Sequence, residues 1–143
     1  GTYVYAAVYD NKLFSFEVGN KEEKWVYSSK NDSGPFIASP AVNKDYVVIA
    51  ERNGRVTFVN REDGLNSGSF VVSGEITVRP VVSDSQCLVA DENGYVYIYD
   101  MPSGKRVWRY QTGPGVEAQP AVCGDKIIIA DSDGNITVFK GTK

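Results

Sequence analysis

Few side chains in this sequence belong to the types that carry out chemistry. Its 143 residues contain no histidine, which removes the usual general base and metal ligand. The two cysteines, Cys87 and Cys123, lie far apart, and neither has the CxxC spacing of a metal or redox site. Cys87 stands in an apolar run and is expected to be a small buried hydrophobe. The sequence therefore predicts no catalytic residue and no metal-binding residue.

Carboxylates in one turn resemble the opening of a calcium-binding loop. Residues 131–135 read DSDGN, but the corresponding turns earlier in the chain read ERNG and DENG. Arg52 and Asn93 replace potential ligands there, and no bidentate glutamate follows residue 135. Because Asp-Gly pairs are common in hairpins, the sequence predicts turns at these places and no cofactor.

These turns are positioned by a repeat of about 40 residues. Pro40, Pro80 and Pro120 each open a similar phrase: PAVNKDYVVIA, PVVSDSQCLVA and PAVCGDKIIIA. An earlier copy lies at the N-terminus at a step of 43, and the three extra residues fall between Trp25 and Pro40. A period near 40 with several short apolar runs per copy predicts the blades of a β-propeller.

Each copy is expected to contain a central hairpin. Gly54, Gly94 and Gly134 occupy the turn position that needs a positive φ, and Asn11 takes that position in the first copy. Apolar runs such as residues 127–129 lack polar alternation, which indicates sheets buried on both faces. No segment has helical periodicity, so the predicted fold class is all-β.

A complete copy has four strands, here at residues 77–82, 86–90, 95–100 and 106–111. The first copy begins at its second strand and the last ends after its third, so the count is three, four, four and three. We interpret the chain as one propeller segment. Its four blades, two of them incomplete, are predicted at residues 1–29, 36–73, 76–112 and 116–143.

Composition limits the classes of partner. The net charge is −3 and no basic cluster is visible in the sequence, so nucleic-acid binding is not expected. No apolar run approaches the ~18 residues that a membrane-spanning helix needs.

Residues 100–108, DMPSGKRVW, resemble the D-x-x-T-G-K-x-x-W signature of PQQ-like (quinoprotein-type, tryptophan-docking) β-propeller repeats, with Ser103 in place of threonine. The first copy keeps Trp25, with Glu17 in place of the aspartate, and the second has Gly68 where tryptophan is expected. The resemblance implies that Trp25 and Trp108 dock between adjacent blades. Gly54, Gly94 and Gly134 would support the blades as turn residues.

Catalytic members of this family hold PQQ against a cation beside paired adjacent cysteines, which this chain lacks. We therefore expect a non-catalytic scaffold for protein interaction or assembly, similar in kind to the family's outer-membrane assembly lipoprotein. Two alternatives stay open: a fragment of a PQQ-dependent dehydrogenase, and a carbohydrate- or small-ligand-binding propeller with exposed Tyr95, Tyr97 and Tyr99. The resemblance favours a periplasmic or cell-surface location.

Candidate binding residues come from positions where the repeat is constant but its chemistry varies. Arg79, Glu117 and Gln119 flank a small residue just before the repeated prolines, and Glu75 lies on the loop before Arg79. If the first strand of each blade lines a central channel, these side chains project into that channel or onto its rim. The alternative is a hydrated channel with no specific ligand.

The incomplete first and last blades are expected to expose apolar side chains. Such patches seldom stay bare, so we predict a homodimer with head-to-tail contacts or association with the rest of a larger ring, and a closed four-bladed ring as the alternative. The side chains predicted to be exposed are Val4, Tyr5 and Leu13 at one end, and Ile127, Ile129, Ile136 and Val138 at the other.

Overall fold

A computed structural model describes residues 2–19, 21–29 and 34–141. Asn20 and residues 30–33, in the middle of the predicted insertion, lie outside the described residues, as do the terminal positions 1, 142 and 143. The described chain is built of strands and turns without a helix. In chain order, the strands are β1 Tyr3–Val8, β2 Lys12–Glu17, β3 Glu23–Ser28, β4 Ala41–Val42, β5 Tyr46–Ala50, β6 Arg55–Asn60, β7 Asn66–Val71, β8 Val81–Val82, β9 Gln86–Ala90, β10 Tyr95–Asp100, β11 Lys105–Gln111, β12 Ala121–Cys123, β13 Lys126–Ala130 and β14 Ile136–Lys140.

These strands form four antiparallel sheets, each a simple meander in chain order. The sheets contain three, four, four and three strands, which confirms the predicted count and the all-β fold class. The hairpin turns have the expected backbone: φ is 57° at Asn11, 88° at Gly54, 77° at Gly94 and 84° at Gly134. The central hairpin turn of each blade is thus set by a residue that tolerates a positive φ.

The first strand of each complete blade is shorter than predicted. Residues 77–82 were expected to form one strand, but pairing with β9 begins only at Val81. Pro80 has no backbone N–H to donate, and residues 77–79 run as a loop. The residues just before the repeated prolines are therefore loop residues and do not belong to a strand that lines the channel.

The first three sheets each include the outer strand that is the fourth strand of a complete blade, namely β3, β7 or β11. A β-bulge recurs at the same place in all three sheets. The register shifts between Ser15 and Phe16 in the first sheet, between Phe58 and Val59 in the second, and between Ile98 and Tyr99 in the third. The extra residue on the outer strand is Lys24 in the first blade. Because bulges bend a strand and re-aim its side chains, this recurrence is a property of the repeat.

The apolar core lies at the three junctions between consecutive blades. The junction between the second and third blades includes Val48, Phe58 and Phe70 from one blade and Val89 and Tyr99 from the other. Phe70 and Tyr99 stack with 3.6 Å between ring centroids. Strands packed on both faces explain the lack of polar alternation in β5 and β9.

Candidate functional site

The predicted rim residues lie on loops between strands of the described structure. Arg79, Glu117 and Gln119 have exposed side chains on the loops that enter the third and fourth blades. In the described ranges, none of these three takes part in an ion pair. Glu75 is paired with Arg52 at 2.7 Å between Oε2 and Nε. Their role as binding residues stays a prediction.

The Arg52–Glu75 pair joins the hairpin of the second blade to the loop that enters the third. Hydrogen bonding to Glu75 raises the pKa of Arg52 above its ordinary value. The Glu75 carbonyl also accepts a hydrogen bond from the backbone N–H of Glu92, at 3.0 Å. Because the pair is exposed, its ionic contribution to stability is small, and it serves to hold two neighbouring loops in register.

The carboxylates in the hairpin turns act as turn caps. Asp131 accepts hydrogen bonds from the Asn135 side chain and from the backbone N–H groups of Asn135 and Asp133, which lower its pKa. Asp91 is buried and accepts from the backbone N–H of Tyr95 and from the Tyr97 hydroxyl, at 3.0 and 3.1 Å. The oxygens that a bound cation would use are thus engaged by the turn itself.

Glu51 stands at the same repeat position but makes different contacts. Its carboxylate is fully buried and accepts a hydrogen bond from the Ser29 hydroxyl at 2.6 Å. The second carboxylate oxygen lies 3.8 Å from the Arg55 guanidinium. Glu51 therefore ties the end of the first blade to the hairpin of the second.

The tyrosines proposed as a sugar-stacking surface belong to the core. Tyr97 is 3% exposed and Tyr99 is 7% exposed, and burial raises the pKa of both hydroxyls. Tyr95 is half-buried, 5.1 Å from the Arg109 guanidinium. The three side chains form no exposed aromatic strip, so the assumption of exposed tyrosines behind the carbohydrate-binding alternative was wrong.

Both tryptophans lie at blade junctions. Trp25 is 8% exposed, and its indole N–H donates to the Arg61 carbonyl of the second blade at 3.1 Å. A Cβ on Gly64 would come within 2.7 Å of the Trp25 ring, so only glycine fits beneath it. Trp108 is half-buried, less than expected, and meets the ring of Phe139 edge to face at 5.1 Å.

The two cysteines differ in exposure. Cys87 is fully buried, as predicted, and desolvation raises the pKa of its thiol to about 12. Cys123 is exposed at the end of β12. A thiol with such a raised pKa is no nucleophile at neutral pH, which makes Cys87 a packing residue.

The outward faces of the end blades differ in part from those predicted. Leu13 and Ile129 are buried inside the chain's own junctions, and Tyr5 and Ile127 pack on the same inner clusters. Residues paired across the strands show which side chains point outward. The first-blade outer face consists of Val4, Ala6, Phe14, Phe16 and Val26, and the last-blade outer face consists of Ile128, Ala130, Ile136 and Val138.

These outer faces expose apolar side chains at the two ends of the described chain. Val4, Ile136 and Val138 are each more than half exposed. Phe14 and Phe16 are half-buried, and their rings stack with centroids 6.0 Å apart. Four or five apolar side chains on one flat sheet face can pack against another sheet.

Residues 66–143, more than half of the chain, match a protein family described as outer membrane protein assembly factor BamB. The chain belongs to this family. No curated protein sequence matches it significantly. The BamB match begins at β7 and includes the D-x-x-S-G-K-x-x-W segment at residues 100–108.

Solved structures agree with the BamB-type fold. BamB from Moraxella catarrhalis superposes with a TM-score of 0.84 at 17% identity, over 98% of this chain and 43% of that chain. Two computationally designed proteins each superpose with a TM-score of 0.86 over 98% of this chain: Ika4 at 13% identity, over 86% of its length, and Ika8 at 17%, over 43%. This chain thus spans less than half the length of the BamB chain.

In the described residues, no helix is long and apolar enough to cross a membrane.

Proposed function

We propose that this BamB-family chain is a non-catalytic propeller scaffold that binds protein partners and completes its ring by pairing its two outer faces with blades of the same kind. The family supports a role in protein assembly, and it favours a periplasmic or cell-surface location. The rim residues Arg79, Glu117 and Gln119 remain candidates for partner contacts because their side chains are exposed at the loops that enter two blades.

The outer faces carry the same repeat positions that seal the internal junctions. On the last-blade outer face, Ile136 and Val138 correspond to Val56 and Phe58, which are 0% and 1% exposed where the second blade meets the third. On the first-blade outer face, Val4 corresponds to Val47, which is fully buried. Each outer face therefore presents the kind of surface that forms one half of an internal blade junction.

The geometry of the solved relatives supports closure by two such segments. The superposition uses 98% of this chain but only 43% of BamB and 43% of Ika8. Two arcs of that size joined head to tail make about one ring, because a head-to-tail contact closes when each arc subtends a whole fraction of a circle. For the isolated chain, the blades that complete the ring are those of a second copy.

Sedimentation velocity at micromolar concentration tests the pairing. The wild-type chain is expected to sediment as a dimer of twice the 15.7 kDa chain mass. Val138→Asp, which places a charge on the last-blade outer face, is expected to yield monomers because an unpaired charge is costly in an apolar interface. Val107→Asp is the matched control, because Val107 is 54% exposed against 55% for Val138 but lies on β11, away from both outer faces.

The control variant is expected to remain dimeric. A compact wild-type monomer would contradict the pairing and would favour a closed four-bladed ring. Equal dissociation by both variants would also contradict it, because the outer face would then have no special part in association.

An absorbance titration with PQQ and calcium separates the scaffold from a dehydrogenase fragment. We expect no saturable change in the PQQ spectrum, because Asp91 and Asp131 are engaged as caps of their hairpin turns and neither cysteine has a cysteine neighbour in sequence. A PQQ-binding dehydrogenase of the same repeat type is the positive control. Saturable, calcium-dependent binding to this chain would overturn the non-catalytic assignment.

A further inference from the structure

Three cationic side chains surround an open cleft of about 440 Å³ at the junction of the first and second blades. Lys24 comes from β3, Lys44 from the turn between β4 and β5, and Arg61 from the turn between β6 and β7. We infer that this cationic cleft binds an acidic segment of a partner protein. The inference rests on the proposed scaffold function and specifies the chemistry of one partner.

Arg61 is held in place before any ligand arrives. Its Nε donates to the Tyr5 hydroxyl at 2.9 Å, and its Nη1 donates to the Asn43 carbonyl at 3.4 Å. Its own carbonyl accepts the indole N–H of Trp25. A guanidinium held by two hydrogen bonds, on a backbone anchored by a third, loses little freedom on binding, which is the condition for a preorganised anion contact.

The two lysines extend the positive charge across the cleft. Lys24 is the extra residue of the β-bulge in the first blade, and its ammonium lies 4.4 Å from the centre of the Tyr3 ring. Lys44 is exposed, and its nearest carboxylate, Asp45, is 4.0 Å away. Within the described ranges, Lys24 and Arg61 form no ion pair. Glu62 also lines the cleft and offsets one of the three charges.

The positive charge is not a requirement of the blade repeat. The equivalent positions at the next junctions keep the strand and turn structure, but they carry no comparable charge. These positions hold Ser67 and Val107 in place of Lys24, Asp84 and Gly124 in place of Lys44, and Met101 in place of Arg61. In a chain of net charge −3, the three cations that folding gathers here are particular to this junction and set up a local positive potential.

The free groups of the cleft favour carboxylates over a phosphate. Phosphate sites are commonly built from backbone N–H groups at a turn or a helix N-terminus. Here the turn amides are engaged: the N–H groups of Arg61, Glu62 and Gly64 donate to Asp45 O, Asn60 Oδ1 and Asn60 O. Recognition therefore falls to the side chains, whose spread across two blades suits an extended run of Asp or Glu.

Fluorescence anisotropy with a fluorescein-labelled hexa-aspartate peptide tests the cleft. The wild-type chain is expected to bind saturably and more weakly as salt rises. Lys24→Glu combined with Lys44→Glu is expected to weaken binding by at least about tenfold, because two attractions become repulsions. Lys105→Glu combined with Arg109→Glu is the control, with the same change in net charge on exposed residues of β11, and it is expected to stay within about twofold of wild type.

Absence of saturable binding, or equal losses of affinity in the two double variants, would contradict the proposal that the cleft binds an acidic segment. Competition by millimolar inorganic phosphate at constant ionic strength would contradict an acidic segment as the ligand and would favour a small-anion site. Sedimentation of the same samples separates this result from the proposed function. A wild-type dimer that does not bind the peptide contradicts only the proposed binding in the cleft. A wild-type monomer that binds the peptide contradicts only the proposed ring pairing.

Discussion

Replacing Trp25 with alanine is expected to lower the free energy of unfolding by about 3–5 kcal/mol, the range for emptying a buried aromatic site. The ring is 8% exposed and fills the junction between the first two blades against Gly64 and Tyr5. Its removal also leaves the Arg61 carbonyl without the indole donor. Urea denaturation followed by far-UV circular dichroism measures the loss.

Trp108→Ala is the matched comparison, because the two tryptophans occupy the same repeat position. Trp108 is half-buried and contacts Phe139 on one side. We expect Trp108→Ala to lower the free energy of unfolding by about 1–3 kcal/mol, since only part of the apolar area of Trp108 is withdrawn from water. A Trp25→Ala variant as stable as wild type would refute the docking assignment for the first junction.

Local sequence chemistry was sufficient to predict the two central strands of each blade and the turn between them. β9 and β10 begin and end at the predicted residues, because each is an apolar run bounded by turn residues. The first copy shows how far a motif can drift without losing its geometry. Lys21 stands where Gly64 and Gly104 stand in the later copies and has a φ of 55°, against 75° and 66°. The turn persists although lysine pays for a conformation that glycine adopts freely.

The direction of side chains in the end blades was not predictable in the same way. A strand buried on one face shows its register through polar alternation, whereas a strand buried on both faces has none. Leu13 and Ile129 were therefore assigned to the bare ends although both are buried at internal junctions. Because the strand that contains Tyr97 and Tyr99 also lacks polar alternation, the sequence did not show that these two side chains are buried.

The cationic cleft depends on contacts that sequence distance conceals. Lys24 and Arg61 are 37 residues apart, and a bulge directs one of them while a tyrosine hydroxyl holds the other. Neither belongs to a local run of basic residues. The sequence signal that could have identified Lys24 and Arg61 is the one used for the rim residues: the repeat keeps the structure of a position constant while its charge changes.

Gly94→Val is expected to destabilise the chain by about 2–6 kcal/mol, combining ~1–3 kcal/mol of backbone strain with ~1–3 kcal/mol of overpacking. Gly94 has a φ of 77°, which a β-branched residue rarely adopts. A Cβ at this position would also come within 2.2 Å of the Pro114 carbonyl oxygen. The contact lies where the hairpin of the third blade meets the loop that enters the fourth.

The close approach is part of a hydrogen-bonded contact between the hairpin of the third blade and the loop that enters the fourth. The Thr112 hydroxyl lies within hydrogen-bond distance of the carbonyl oxygens of Gly94 and Pro114, at 3.0 and 2.5 Å, and the Thr112 N–H donates to Gly94 O at 2.9 Å. A valine side chain at residue 94 can be accommodated only if this loop moves away. The variant is therefore expected to loosen the fourth blade as well as the turn itself.

Gly134→Val separates the two contributions. Gly134 has a similar φ of 84°, but a Cβ there meets no atom within 4 Å, so only the strain of about 1–3 kcal/mol remains. Thermal and urea unfolding of both variants, with hydrogen exchange of β13 and β14, measures the difference. Equal losses in the two variants, or wild-type exchange of the fourth blade in Gly94→Val, would mean that the approach of the Pro114 loop does not hold the last blade in place.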